Sequence, residues 1–216
     1  MRATTTRVYW LPLFFALLTT ACTRIPSIDA AVELERARHA WAGNWHAVWQ
    51  IEWHYAPLRG PVVAEIWHAA DGRLRVETLE APVATLNGLI RADDGSHVWL
   101  YDMRQRQISS GTRAQLRIPL VDDLLDAMEW TLLHPFQAMV VAVNSWEIES
   151  GEAIALELTG TTGERLTLWV NRETGLPAGL ILHSSPWGQA RCVTRTLERR
   201  TYLDAALFTR ELIPEP

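Results

Sequence analysis

The sequence predicts an α+β fold in which a large, curled antiparallel sheet is covered on its concave face by a few helices. Three observations predict it: short segments bounded by turn residues fill most of the chain, one helical pattern precedes them, and an apolar helical stretch interrupts them. A wide open sheet must curl or be covered. The helical stretch is apolar enough to be the cover.

The stretch Trp45–Tyr55 decides this architecture because it fits two patterns. As a helix, tryptophans at every fourth position from Trp41 would form a stripe. As a strand, it places the following side chains on one face: Trp45, Ala47, Trp49, Ile51, Trp53 and Tyr55. The strand is favoured because Gly43 and Asn44 interrupt a helix entering from the left and Pro57 ends the run. Such a face needs an apolar volume opposite it, either a packed core or a pocket.

Composition limits the class of protein. The 216 residues are 48% hydrophobic and carry a net charge of −5, so the chain is neither disordered nor a typical nucleic-acid binder. No linker-like run divides it, which predicts one domain. The eleven tryptophans suit a deep core, a lipid pocket, a membrane-edge surface or a sugar-stacking platform.

The first 21 residues have the features of an export signal. Arg2 and Arg7 supply positive charge, and Val8–Leu18 is an apolar run shorter than the ~20 residues that a spanning helix needs. Small residues then precede Cys22, a pattern that resembles the bacterial lipoprotein signal. That resemblance implies acylation of the Cys22 thiol, for instance with palmitate, and a tether over residues 22–29. The domain would then be anchored to the cell membrane, facing the periplasm or exterior; a plain secreted protein is the alternative.

The cysteine count agrees with this prediction. Cys22 and Cys192 are the two cysteines of the sequence. If Cys22 is acylated, Cys192 has no partner, so no disulfide framework is expected. Cys192 is predicted to be a small buried or half-buried residue and not a nucleophile, because no neighbouring charge in the sequence would lower its pKa.

The mature chain begins with a predicted helix, Ala30–Trp41, with Asp29 as its N-cap and Gly43 just beyond its end. Asp71-Gly72 is a hairpin signal. After the aromatic stretch, strands are predicted at Val62–Ala69, Arg73–Leu79, Leu86–Arg91, His97–Tyr101 and Gln105–Ser109.

The pattern changes at Pro119. Helical spacing recurs at Leu120, Leu124, Leu125 and Met128. Asp122 and Asp123 suit a first turn, and after Pro135 a second apolar segment, Phe136–Val143, is predicted to be helical as well. Strands then resume at Trp146–Glu149, Ile154–Thr159, Leu166–Asn171, Gly179–His183 and Arg191–Leu197. Hairpins connected in sequence predict one antiparallel meander.

The order of these pieces resembles the LolA-like family of bacterial envelope lipoprotein carriers and the related domain of RseB-type envelope-stress regulators. The motifs that carry the resemblance are the leading helix with the aromatic strand, Ala69–Arg75 (AADGRLR), Val98–Asp102 (VWLYD), the helical insert, and Leu168–Pro177 (LWVNRETGLP). It extends from Ala30 to about Phe208. It implies an incomplete barrel lidded by helices, whose apolar interior binds acyl chains, so residues 30–216 are expected to form one LolA-like lipid-binding domain. Diffusing carriers of this family lack an anchor, so an anchored acceptor, carrier or sensor of a lipid or acylated lipoprotein is expected here.

Candidate cavity residues come from the strands and from the lid. They are Trp45, Trp49, Trp53, Trp67, Trp99 and Trp169 from strands, and Leu124, Leu125, Met128 and Phe136 from the lid. For each of them, plain core packing is the stronger alternative. The resemblance favours the pocket for the set and for no single member.

Residues that could perform chemistry are scattered. His46, His54, His68 and His97 have no short ligand-like spacing, and Asp93-Asp94-Gly95 is typical of a turn. The sequence has no G-x-S-x-G motif and no glycine-rich phosphate loop. We therefore predict no enzyme, no metal site and no cofactor.

Two other functions stay open at this point. A regulatory or scaffold module could use the same fold to bind a partner protein at the membrane surface, without lipid cargo. A sugar-binding protein would instead present its tryptophans in a solvent-facing row.

Overall fold

The computed structural model describes residues 28–54, 60–143, 151–185 and 188–212. Within these ranges the chain forms two α-helices, α1 (Ala30–Trp41) and α2 (Val121–Leu133), and one eleven-stranded antiparallel sheet. The strands are β1 (Trp45–Trp53), β2 (Val62–His68), β3 (Leu74–Glu80), β4 (Leu89–Asp93), β5 (Val98–Asp102), β6 (Gln107–Gly111), β7 (Gln137–Val143), β8 (Ala153–Thr159), β9 (Arg165–Asn171), β10 (Pro177–Ser184) and β11 (Ala190–Arg199). The predicted α+β class with an open, helix-covered sheet is confirmed.

Some predictions fall outside the described residues. These are the export signal, Cys22 with most of the tether, Tyr55, and the strand Trp146–Glu149. In the part of the chain that is described, neither helix has the length and apolar character needed to cross a bilayer.

The sheet consists of two meanders that meet at its centre. Strands β1–β6 form the first and β7–β11 the second, and the two are joined because β1 pairs with β11. Trp45 lies opposite Arg199 and Trp53 opposite Ala190, with a bulge between Val48 and Trp49. The order therefore differs from the single meander expected from the sequence, since turn residues specify each hairpin but not the pairing of distant strands.

The burial of side chains along β1 shows which face of the sheet is packed against the helices. Burial alternates along it, and the buried side chains are Trp45, Ala47, Trp49, Ile51 and Trp53. They share one hydrophobic core with α1 and α2. We call this the helical face and the opposite side the outer face. The extended conformation predicted for the aromatic stretch is confirmed over Trp45–Trp53.

Helix α1 forms as its sequence predicts. The side chain of Asp29 accepts a hydrogen bond from the backbone N–H of Ala31 at 2.9 Å, which caps the first turn. Leu34, Ala37 and Ala40 are the buried residues of the helix, one to two turns apart. They attach α1 to the helical face.

Helix α2 begins at a constrained backbone. Leu120 has a φ of +70°, unfavourable for a residue with a side chain. The carboxylate of Asp122 accepts from the backbone N–H of Ile118 at 2.5 Å, and that of Asp123 accepts from the N–H of Leu120 at 3.1 Å. The indole N–H of Trp53 donates to the carbonyl of Leu120 at 3.2 Å. These bonds hold the start of α2 against the sheet.

The prediction that Phe136–Val143 is helical is wrong. Residues Gln137–Val143 form β7, which pairs with β8 at one edge of the sheet. Pro135 ends the preceding helix, and the three valines of the segment favour extended backbone. The strand lacks a clear alternation of apolar and polar residues because Met139 and Val141, at 58% and 48% exposure, are apolar residues on its open side.

Candidate functional site

The tryptophans of β1 pack inside the core of the helical face. Trp45 and Trp49 are each 1% exposed. Their rings stack with centroids 6.1 Å apart, and the indole N–H of Trp45 donates to the carbonyl of Trp41 at 3.0 Å. Trp53 is also buried, and Trp41, half-buried on α1, stacks against Trp49 at 6.1 Å. These rings fill the space between sheet and α1.

Some residues of the predicted lid lie in the core, and others lie at the edge of the helical face. Leu124 and Met128 of α2 are fully buried in the same core as the β1 tryptophans. Leu125 is half-buried and faces a cavity. Phe136, just before β7, packs edge-on against Trp130 with centroids 5.1 Å apart.

The other three candidate tryptophans lie on the outer face, away from the helices. Trp67 stacks on His46 and packs against the segment that contains Leu203 and Phe208. Trp99 packs beside Ile90, Ala92 and Tyr101. Trp169 lies among Ala153, Ala155 and Ala178. Side chains alternate between the two faces along each strand, so the register of a strand decides which of its residues face the helices. The register between strands far apart in sequence is not evident from residue spacing.

A cavity of about 380 Å³ opens at the margin of the helical face, between α1, α2 and the β2–β3 hairpin. Of the predicted cavity residues, Leu125 lines it. Its apolar wall consists of Trp41, Leu74, Leu125, Leu132 and Leu133, and its polar wall includes Arg38, His68, Arg91, Arg113, Asp122, Asp126 and Glu129. The cavity is therefore amphipathic, with a size in the range of small-molecule sites, roughly 300–1,000 Å³.

The inner part of the polar wall is a buried ion pair. Arg91 of β4 is 0% exposed and donates from Nη1 to the carboxylate of Asp122 in the first turn of α2. The same carboxylate oxygen accepts the N–H of Ile118. The pair links the sheet to α2 beneath the cavity. Removing one partner would leave the other charge buried and uncompensated, which is strongly unfavourable.

Three more charged side chains of the wall, those of Arg113, Asp126 and Arg38, also have polar partners. Nε and Nη2 of Arg113 both donate to Oδ2 of Asp93, at 2.8 and 2.6 Å. Asp126 pairs with Arg117 at 2.7 Å. Arg38 donates to the backbone carbonyls of Leu132 and His134, which ties α1 to the end of α2. Three arginines and three carboxylates line the cavity, so it has little excess of either charge.

His68 closes one side of the cavity. Its ring stacks on Trp45 with centroids 5.1 Å apart, and Nδ1 donates to the carbonyl of Gly43 at 3.0 Å. Burial lowers the pKa of His68, since desolvation of the charged ring outweighs the hydrogen bond to Gly43. The ring is thus a neutral, aromatic part of the wall at pH 7.

The polar wall of the cavity is not evident from the sequence. Arg91 lies in β4, whose five residues Leu89–Asp93 are all buried. A charged residue inside such a short strand could have signalled a buried pair. The sequence pattern places its partner Asp122 correctly in the first turn of α2 but does not reveal the contact with Arg91.

The histidines and acids weighed as chemical groups do not converge. His46 contacts Glu65 at 2.8 Å on the outer face, His68 lies on the helical face, and His97 is exposed. The carboxylate of Asp94 accepts from the N–H groups of Ser96 and His97, as in a turn. In the described part of the chain, no group of three or more His, Cys, Asp or Glu residues could hold a metal ion.

No family model matches the sequence, and no curated protein matches it. Solved structures do resemble the fold. An uncharacterized conserved protein from Thermus thermophilus aligns with a TM-score of 0.52 and 15% identity, over 82% of this chain and 91% of the other. MucB aligns with a TM-score of 0.52 and 16% identity, over 85% of this chain and 63% of MucB. LprF from Mycobacterium bovis aligns with a TM-score of 0.50 and 11% identity, over 76% and 90%.

These identities are low enough that the likeness concerns the fold alone. The chain spans less than two thirds of MucB, so MucB contains a further part without a counterpart in the alignment. The strand meanders, the two covering helices and the alignments agree on one architecture. The chain therefore shares its fold with MucB and LprF, and the open, helix-covered sheet that the resemblance of its motifs implies is present.

Proposed function

We propose that this protein is a membrane-anchored envelope protein that binds a lipid, or the acyl chains of a lipoprotein, as a carrier, acceptor or sensor. The observation that carries the proposal is the amphipathic cavity between the two helices and the sheet. Each CH₂ group of an acyl chain that is buried against the wall of Trp41, Leu74 and Leu125 contributes about 0.8 kcal/mol. The shared fold and the export signal with Cys22 support the same function.

The proposal differs from the sequence expectation in where the ligand lies. Trp45 and Trp49 are packed core residues and do not line the cavity. The acyl chain would instead enter beside them, under Trp41 and along the inner side of α2. Deeper entry would require α2 to move away from the sheet.

Native mass spectrometry of protein purified gently from its envelope tests the proposal. We expect the wild type to retain a lipid and a Leu125→Trp variant to lose it, because the larger ring occupies the cavity. Val32→Trp is the matched control, since Val32 is an exposed residue of α1 outside the cavity. Circular dichroism checks that each variant is folded.

Lipid-free wild-type protein would contradict the proposal. Equal lipid content in the wild type and in folded Leu125→Trp would show that the ligand binds elsewhere.

A further inference from the structure

The cavity has balanced charges but unbalanced hydrogen bonds. Arg91 is neutralised by Asp122, and Arg113 by Asp93. Yet Nε and Nη2 of Arg91 have no hydrogen-bond partner among the described residues, although both atoms are buried. Buried N–H groups are normally satisfied, and leaving them unsatisfied is costly. The Arg91 guanidinium thus lacks hydrogen-bond acceptors, although its charge is paired.

We propose that the cavity recognises the linkage of an acyl ester or acyl amide, whose carbonyl oxygen accepts from the free N–H groups of Arg91. This inference rests on the proposed function and specifies its ligand. A neutral carbonyl supplies an acceptor without adding charge. A free carboxylate would bring a second negative charge beside Asp122 into a buried site where Arg91 is already compensated.

The apolar wall is placed to hold the chain attached to that linkage. Leu74, Leu125 and Leu132 line the same cavity as Arg91. Because the guanidinium has no exposed surface, a ligand reaches it only when neighbouring wall side chains yield. The unsatisfied donors favour that rearrangement, since the carbonyl gives them the acceptor they lack.

Isothermal titration calorimetry with matched ligands tests the inference on the folded protein after its own lipid has been removed. The ligands are monomyristoylglycerol, the corresponding tetradecyl glycerol ether, which lacks the carbonyl, and myristate. We expect the ester to bind about tenfold more tightly than the ether, because a hydrogen bond to a charged donor is lost. Myristate is expected to bind more weakly than the ester at neutral pH.

The double variant Arg91→Met/Asp122→Asn is the matched control. It removes both charges together, and the asparagine keeps an acceptor for the N–H of Ile118. Ester and ether should bind this variant equally. A second variant, Arg113→Met, removes a different arginine of the same wall and should keep the preference for the ester.

Two results would overturn the inference while leaving the proposed function intact: equal binding of ester and ether by the wild type, or a preference that survives in the double variant. Tighter binding of myristate than of the ester would also overturn it. If none of the three ligands binds, the proposed function fails together with the inference.

Discussion

At the scale of single residues, the Arg91–Asp122 pair is a buried polar contact between the sheet and the helix that covers it. Both side chains are buried, and they join β4 to the first turn of α2. Asp122→Ala leaves a buried, unpaired guanidinium and is expected to lower the free energy of unfolding by about 3–5 kcal/mol. Urea denaturation of Asp122→Ala, Arg91→Met and Arg91→Met/Asp122→Asn measures this. The double variant should lose less than the two single variants together.

An exposed pair provides the comparison for this prediction. Arg165 and Glu157 on neighbouring strands lie 3.0 Å apart, with much of both side chains in solvent. Breaking that pair with Glu157→Ala should cost no more than about 1 kcal/mol. Similar losses at the two sites would show that the buried pair does not anchor α2.

His68 gives the molecule a pH-dependent stability. Burial lowers the pKa of His68 in the folded state below the ordinary histidine value near 6.5. Below about pH 6.5 the unfolded chain therefore binds more protons than the folded chain. Stability is therefore lost as the pH falls below about 6.5, and the loss levels off once the folded state is also protonated. In His68→Gln, the change in urea midpoint between about pH 7.5 and pH 5.5 should be smaller than in the wild type.

A matched variant separates this effect from the carboxylates that titrate in the same experiment. His97 is exposed near the β4–β5 turn, and His97→Gln should retain the wild-type change in midpoint. If His68→Gln also retains it, His68 does not contribute to the pH dependence.

At the scale of elements, β1 supplies the core that holds the two meanders together. It pairs with β2 on one side and β11 on the other, and Trp49 is buried beneath α1. Trp49→Ala is expected to cost about 3–5 kcal/mol of unfolding free energy through lost burial and the cavity left behind. The control is Trp99→Ala on the outer face of β5, where the ring is half-buried, and it should lower the free energy of unfolding clearly less. Equal losses for the two variants in urea denaturation would contradict the assignment of Trp49 to the central core.

Some secondary-structure elements can be predicted from local sequence patterns alone, and others cannot. The period of two in β1 and the capping residue of α1 were interpreted correctly, because both depend on neighbours within a few residues. For the segment that forms β7, the sequence pattern wrongly predicts a helix. An edge strand can carry apolar residues on both sides, and only its pairing with β8 distinguishes it from a short buried helix.

At the scale of the whole molecule, the proposed anchor determines where the cavity acts. Cys22 lies outside the described residues, so its acylation remains a prediction from the signal. Cells fed a clickable palmitate analogue should label the wild type, and Cys22→Ser should lose both the label and the membrane fraction. Cys192→Ser should keep them, because Cys192 is fully buried and burial raises the pKa of its thiol. Persistent membrane association of Cys22→Ser would contradict lipid anchoring.

The sequence by itself determined the class of fold, the extended aromatic strand with its buried face and the capped first helix, and it predicts the export signal. Each of these is encoded by residues close together along the chain, where periodicity and turn chemistry act. Tertiary structure alone decided that β1 meets β11, that Trp67, Trp99 and Trp169 turn outward, and that Arg91 meets Asp122. These features depend on strand register and on contacts between residues far apart in sequence, which no local pattern specifies.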